Sequence, residues 1–183
     1  MKQALILIDI QNDYFKGGKM ELVGMEQASS NAKRILQKFR EKKSSLFHVQ
    51  HLAADSEATF FLPHTKGAEI HEDVTPELNE ILITKHFPNS FRETNLLHLL
   101  QKSEIKELVI CGAMSHMCID ATTRAAFDLG FKCTVIEDAC ATRHLYHNGA
   151  EVEAHVVHAA FMAALAVPYA TILSTNDFLV KQP

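Results

Sequence analysis

Asp9, Lys85 and Cys118 are the residues on which chemistry could turn, because each closes or follows an apolar segment of strand length. Asp9 ends the run Ala4-Leu5-Ile6-Leu7-Ile8. Lys85 comes directly after Glu80 to Thr84. Cys118 comes after Glu107 to Cys111, Gly112 and the loop Ala113-Met114-Ser115-His116-Met117. In an open α/β sheet, ligands bind beyond the carboxyl ends of the strands, near the point where strand order reverses. A carboxylate, an ammonium and a thiol delivered to that edge suit nucleophilic catalysis. The thiolate attacks a carbonyl carbon, the carboxylate moves protons, and the cation holds the thiolate and orients the carboxylate. Cys118 is expected to open a helix, where free N–H groups and the helix dipole favour the thiolate. Each residue also has a plainer reading: a small buried thiol, a solvated strand end, an exposed lysine. Cys111 and Cys133 lie in apolar strands and Cys140 in a loop, with no evident activator beside them.

Histidines and aromatics form a second set. His51, His64 and His71 are possible metal ligands, loop histidines or pocket-shaping groups. His144/His147 and His155/His158 are spaced i, i+3, and for the second pair, in an Ala- and Val-rich helix, packing or surface roles are expected. His116 precedes Cys118 by two residues; a tight turn directs it to the substrate or a neighbouring subunit, and Asp9 is the better base. Phe15, Phe60, Phe61, Phe87 and Tyr146 are expected to line a small, partly apolar pocket, although for any single phenylalanine plain core is the better reading.

The elements that must position these groups alternate. Strand-length runs (Ala4 to Ile8, Ser45 to Val49, Glu80 to Thr84, Glu107 to Cys111, Phe131 to Ile136, Ala170 to Leu173) are separated by helix-period stretches. Those stretches are Met25 to Lys42, Glu93 to Gln101, Cys118 to Leu129 and Gly149 to Leu165, the last broken by Pro168. Such alternation implies parallel strands joined by crossover helices. Continuously apolar core strands imply helices on both faces. The stretch from His51 to Pro76 is irregular, as binding or lid segments are. The reading is one α/β domain, three layers over residues 1–183, with five or six parallel strands.

Bulk properties narrow the function. The chain has 183 residues, 47% of them hydrophobic, and a net charge of −4. No long basic block points to nucleic acid, and no apolar run is long enough for a membrane span. The first residues do not look like a signal peptide. Four cysteines without a CxxC pair are expected to be reduced thiols in a cytoplasmic protein.

Three segments carry a resemblance. Leu7-Ile8-Asp9-Ile10-Gln11-Asn12-Asp13-Tyr14-Phe15 resembles the N-terminal signature of the isochorismatase-like cysteine hydrolases. Lys85-His86-Phe87-Pro88-Asn89-Ser90-Phe91 is similar to their Lys-x-x-x-Ser-Phe segment. Val109 to Ala126, with Cys111-Gly112-Ala113-Met114-Ser115-His116-Met117-Cys118 at its centre, resembles their nucleophile segment throughout. The order and spacing also match. The family includes isochorismatases, nicotinamidases, N-carbamoylsarcosine amidases and ureidoacrylate amidases. The resemblance implies a six-stranded parallel sheet flanked by helices, with Asp9 as base, Lys85 as positioning cation and Cys118 as nucleophile. It also implies a cis peptide at Ala113–Met114 that turns the amides of Met114 and Cys118 toward the substrate oxygen, the oxyanion position. It implies a small-molecule substrate (an amide, a ureide, or a related ester or ether such as isochorismate) and a homodimer or homotetramer. The Asp-x-His metal motif of nicotinamidases is missing here, so no metal and no cofactor is expected. Competing readings are a non-catalytic binding or scaffold protein on the same fold, a thiol-transfer protein, and a dinucleotide binder. The last lacks a GxGxxG after the first strand.

Overall fold

The computed structural model describes residues 2–55 and 57–181. Its strands are β1 (Gln3–Ile8), β2 (Ser45–His51), β3 (Ile81–Lys85), β4 (Glu107–Ala113), β5 (Lys132–Ala141), β6 (Leu145–His147), β7 (Ala150–Val152) and β8 (Ala170–Leu173). Its helices are α1 (Met25–Glu41), α2 (Leu96–Lys102), α3 (Asp120–Asp128), α4 (Ala154–Ala166) and α5 (Thr175–Val180). Six strands form one parallel sheet in the order β3-β2-β1-β4-β5-β8. The chain winds outward from β1 to β3, then crosses back over β1 to start β4. The reversal point therefore lies between β1 and β4, where a crevice forms.

Sequence explains the layering. Ala4 to Ile8 are all buried, as a central strand covered on both faces requires. α1 buries Met25, Ala28, Ala32, Ile35, Leu36 and Phe39, an apolar stripe at helical spacing. It packs with α5 against β5, while α3 and α4 pack on one another. Gly112 permits the close approach of β4 to β1: its φ is +127°, and a Cβ there would meet the Ile8 carbonyl oxygen at 1.9 Å. Among its described residues, the link from β2 to β3 contains two short 3-10 turns, Lys66–Ala68 and Glu72–Val74, and no longer helix. It folds back on the residues after β1, through Asn12 N–H to the Glu69 carbonyl and His71 N–H to the Ile10 carbonyl.

The structure departs from the sequence reading in several places. The helix expected from Gly149 begins at Ala154; ahead of it, β6 and β7 form an antiparallel hairpin. Its turn is Asn148-Gly149, both at positive φ, the pairing that two-residue hairpin turns favour. α5 was not expected at all, yet the Ser174 hydroxyl accepts from Asp177 N–H and caps it. Lys85 is the last residue of β3 rather than the residue after it. Cys118 sits inside a π-helical turn, Ser115–Ile119, that leads into α3, rather than at a helix start.

Glu80, just before β3, ties three elements together. Its carboxylate accepts from Arg40 Nε and Nη2 at 2.7 and 2.8 Å, lies 2.7 Å from His48 Nε2, and accepts from the Glu77 amide. Glu80→Ala leaves the buried His48 without its partner and takes from Arg40 its shortest ion pair, leaving it the Thr75 carbonyl and Glu77. It is expected to cost about 3 kcal/mol in urea unfolding.

Candidate active site

The ends of β1, β3 and β4 bring Asp9, Lys85 and Cys118 into one cluster. Asp9 follows β1 at φ +54°, a left-handed conformation that a non-glycine residue adopts at a cost. Lys85 and Asp9 are fully buried, and Cys118 is 3% exposed. The Lys85 ammonium donates to Asp9 Oδ2 at 2.7 Å and to Cys118 Sγ at 3.3 Å. Oδ1 of Asp9 is buried with no hydrogen-bond partner. Burial works against a charged Lys85, but the charges of Asp9 and Cys118 outweigh it and raise its pKa.

The thiol behaves differently from the sequence expectation. Burial pushes the Cys118 pKa up, the Asp9 charge pushes it further, and Lys85 only partly offsets them. Burial and the Asp9 charge thus work against the thiolate, and the Lys85 ammonium, rather than a helix end, works for it.

Sequence reasoning missed His51 as a member of this cluster. It ends β2 and is the register partner of Lys85 in β3, so both side chains reach the same rim. Its Nδ1 lies 2.8 Å from Lys85 Nζ and 3.9 Å from Asp9 Oδ2. Burial, then the Lys85 charge, depress its pKa to about 4. The ring is neutral, Nδ1 accepts from Lys85, and the ring proton resides on Nε2. Gln11 fixes the backbone here: its Oε1 accepts from His51 N–H and its Nε2 donates to the carbonyls of His51 and Ala68.

The shifted His51 gives a stability signature. Between pH 6.5, the free imidazole value, and about 4, the unfolded chain binds a proton that the folded chain refuses. Stability from this group is thus complete above 6.5, falls as pH drops toward 4, and levels off below. The span is on the order of 3 kcal/mol. In His51→Gln this part of the slope is expected to vanish in urea titrations at pH 4.5 and pH 7.5.

The donor atoms of Asp9, His51 and Cys118 lie within 4.8 Å of one another, the geometry of a metal site. The residues do not fit a metal, because the Lys85 ammonium touches all three and fills the position the ion would take. His64 and His71 are not brought to it: His64 is exposed, and His71 stacks on Phe15 with ring centroids 3.6 Å apart.

A cavity of about 310 Å³ opens beside the cluster, with His51, Phe60, Phe61, His86 and Phe87 in its wall. Of the predicted pocket residues, Phe60, Phe61 and Phe87 are there. Phe15, paired with His71, faces a separate hollow. Tyr146 is 72% exposed on the β6–β7 hairpin and bonds Glu151, so it lines no wall of the cavity. His116 turns to the Thr142 hydroxyl at 2.6 Å and packs edge-on against Phe161. The paired histidines divide: His155 is exposed beside Glu153, whereas His158 Nδ1 lies 2.8 Å from the Ser115 hydroxyl. Tyr14 was also missed. Its ring packs on Phe61 and Phe60, and its phenol pKa is raised by burial and then by the charges of Asp9 and Cys118. Asp13 supports this wall by accepting from Phe61 N–H at 2.7 Å and Lys19 N–H at 3.2 Å. The Ala113–Met114 peptide is cis. Met114 is buried, and its carbonyl accepts from the amides of Met117 and Ile119.

Comparison with known proteins adds a second line of observation. Residues 3–177 match the family model described as the isochorismatase domain. The chain is 52% identical over 179 residues to YddQ, an isochorismatase family protein of Bacillus subtilis (strain 168), covering 98% of this chain and 99% of YddQ. It is 31% identical over 140 residues to a streptothricin hydrolase of Streptomyces noursei, covering 76% of this chain and 50% of that protein. A crystal structure from Oleispira antarctica superposes with a TM-score of 0.94 at 49% identity, over 98% of this chain and 96% of that one.

Proposed function

The chain belongs to the isochorismatase family of hydrolases, and from that premise we propose that it cleaves a small amide, ureide or related C–N substrate with Cys118 as nucleophile. One observation carries the reading: a single buried ammonium touches both a carboxylate and a thiol at the sheet's reversal point.

The steps follow from these three groups. Asp9 takes the thiol proton through its unpartnered Oδ1, and Lys85 stabilises the resulting thiolate. Sulfur attacks the carbonyl carbon as substrate enters beside the aromatic wall. The tetrahedral oxyanion is held by the backbone N–H groups of Met114 and Cys118; the first amides of a helical segment have no intrahelical acceptor. Asp9 returns its proton to the departing amine or ammonia, leaving a thioester. Water, deprotonated by Asp9, then releases the acid and restores the thiol. Each proton step uses groups of this chain alone.

The apolar wall of Phe60, Phe61 and Phe87 suits a small, flat or partly apolar substrate. We also propose a homodimer or homotetramer. Val156 of the apolar α4 is 47% exposed, and light scattering of the purified protein checks the assembly. Among the described residues no helix is long and apolar enough to cross a membrane. The function is tested by screening small amides, ureides and carbamoyl compounds for ammonia release, with the Cys118 variant as blank. A substrate turned over equally by that blank refutes the reading.

A further inference from the structure

His51 ends β2 and His86 follows β3, and both line the cavity of about 310 Å³ beside the cluster. Two bonds lock these segments together. Leu52 N–H donates to the Lys85 carbonyl at 3.0 Å, and His86 Nδ1 donates to the Leu52 carbonyl at 2.8 Å. A carbonyl only accepts, so the proton of the neutral His86 ring sits on Nδ1 and its Nε2 is left as a bare acceptor. His51 is set the opposite way. An ammonium only donates, so Nδ1 of His51 accepts from Lys85 and its Nε2 carries the proton. Burial and the Lys85 charge keep that ring neutral.

Neither Nε2 is hydrogen-bonded among the described residues, and neither ring is sealed from solvent: His86 is exposed and the His51 side chain is 20% exposed. The rest of the wall offers little else that is polar. It is made of alanines, phenylalanines and Asp55, whose Oδ1 accepts from the Glu57 amide. The wall thus presents one donor and one acceptor on an apolar surface. The cavity is near the small end of ligand pockets, roughly 300–1,000 Å³, so both nitrogens lie within reach of one small molecule. A carbonyl oxygen suits His51 and an N–H suits His86, and an amide edge supplies the two side by side. A carboxylate sets a second acceptor against the His86 nitrogen. A hydrocarbon covers both nitrogens and pairs neither, which costs their hydration without return.

We propose that His51 and His86 form a donor–acceptor pair that binds an amide edge of the substrate other than the scissile one, so that this chain prefers ureides, acylureas and lactam-bearing amides to amides whose remaining part is a hydrocarbon or a carboxylate. The proposal rests on Cys118 being the nucleophile, since that makes this cavity the one the substrate enters.

2-Pyridone, a flat ring with a carbonyl and an N–H on one edge, tests the pair without knowledge of the substrate. Iodoacetamide forms an S–C bond at Cys118 and expels iodide, and the thiol proton passes to Asp9. The labelling rate is read at Cys118 by peptide mass analysis at about pH 8, where free imidazole is neutral. 2-Pyridone is expected to slow labelling saturably, with half-protection at a concentration about fivefold below that of N-methyl-2-pyridone, which lacks the N–H; one hydrogen bond supplies a factor of that size. His86→Phe keeps an aromatic ring in the wall and removes the acceptor. In that variant the two pyridones are expected to protect equally. A preference that survives in folded His86→Phe means that the methyl group is excluded by size, and it overturns the pair. Equal protection by the two pyridones in the unsubstituted protein, or protection by neither, also overturns it and leaves the nucleophile intact; this comparison decides the matter if the variant does not fold. No labelling of Cys118 by iodoacetamide overturns the nucleophile reading and this proposal with it.

Discussion

Cys118→Ala is expected to lower turnover of any amide this chain hydrolyses by about 10⁴- to 10⁶-fold, the loss seen when a covalent nucleophile is removed. Cys118→Ser is expected to fall nearly as far. A hydroxyl in the same place is a far weaker acid than a thiol, and Asp9 cannot prepare it as readily. The fold is expected to survive both changes. The Cys118 sulfur is one of three contacts of Lys85, and Asp9 and His51 keep the ammonium satisfied without it. Melting temperatures within a few degrees of the parent, beside lost ammonia release, separate a chemical role from a structural one. The other cysteines supply the internal control. Burial pushes Cys133 and Cys140 up to about 12 and raises Cys111 well above the ordinary thiol value. Among the described residues none of them is bonded to an ammonium as Cys118 is to Lys85. Burial raises Cys118 as well, so its reactivity depends on Asp9 and Lys85 rather than on a low resting pKa. Iodoacetamide is accordingly expected to label Cys118 ahead of the other three. Full activity in Cys118→Ala sinks the covalent mechanism and favours a binding protein on this fold.

What could be read from sequence follows a physical divide. Ala4 to Ile8 and Leu108 to Ile110 announce central strands, since only a strand covered on both faces is apolar at every position. The same strands deliver Asp9 and Cys118 to one rim, and the strand at Ile81–Lys85 delivers Lys85, so the chemical set was legible before any coordinate. The place of His51 among them was not. His51 matters because β2 and β3 pair in a register that sets it opposite Lys85, 34 residues away, and no local pattern encodes that register. The thiol pKa fails for the same reason: a helix-end argument uses neighbours in sequence, whereas burial and Asp9 act through space. The β6–β7 hairpin was missed for a different cause. Asn148-Gly149 is a strong turn signal, but the Ala-, Val- and His-rich run after it reads as one helix and masked the boundary at Glu153.

Lys85→Met is expected to damage both stability and activity, and the two effects can be separated. The substitution removes the cation bonded to Asp9, which is fully buried and whose other oxygen already lacks a partner. Leaving one half of a buried ion pair uncompensated costs about 3–5 kcal/mol. Asp9→Asn alone leaves the ammonium among His51, Cys118 and a neutral amide, and is expected to destabilise for the mirror reason. Replacing both members removes both buried charges. The Lys85→Met/Asp9→Asn protein is therefore expected to be more stable than the sum of the single effects predicts, by about 1–3 kcal/mol in a urea double-mutant cycle. Activity should show no such recovery: the proposed thiolate has lost its counter-ion and the proposed base its proton affinity, so all three variants stay at the level of Cys118→Ala. Strict additivity in stability means that Asp9 and Lys85 do not act as a unit. Recovered turnover in the double variant means that the pair serves the fold and not the chemistry. Lost activity beside recovered stability is the one combination expected of a buried ion pair kept for its reaction, since apolar replacement of such a pair is otherwise tolerated.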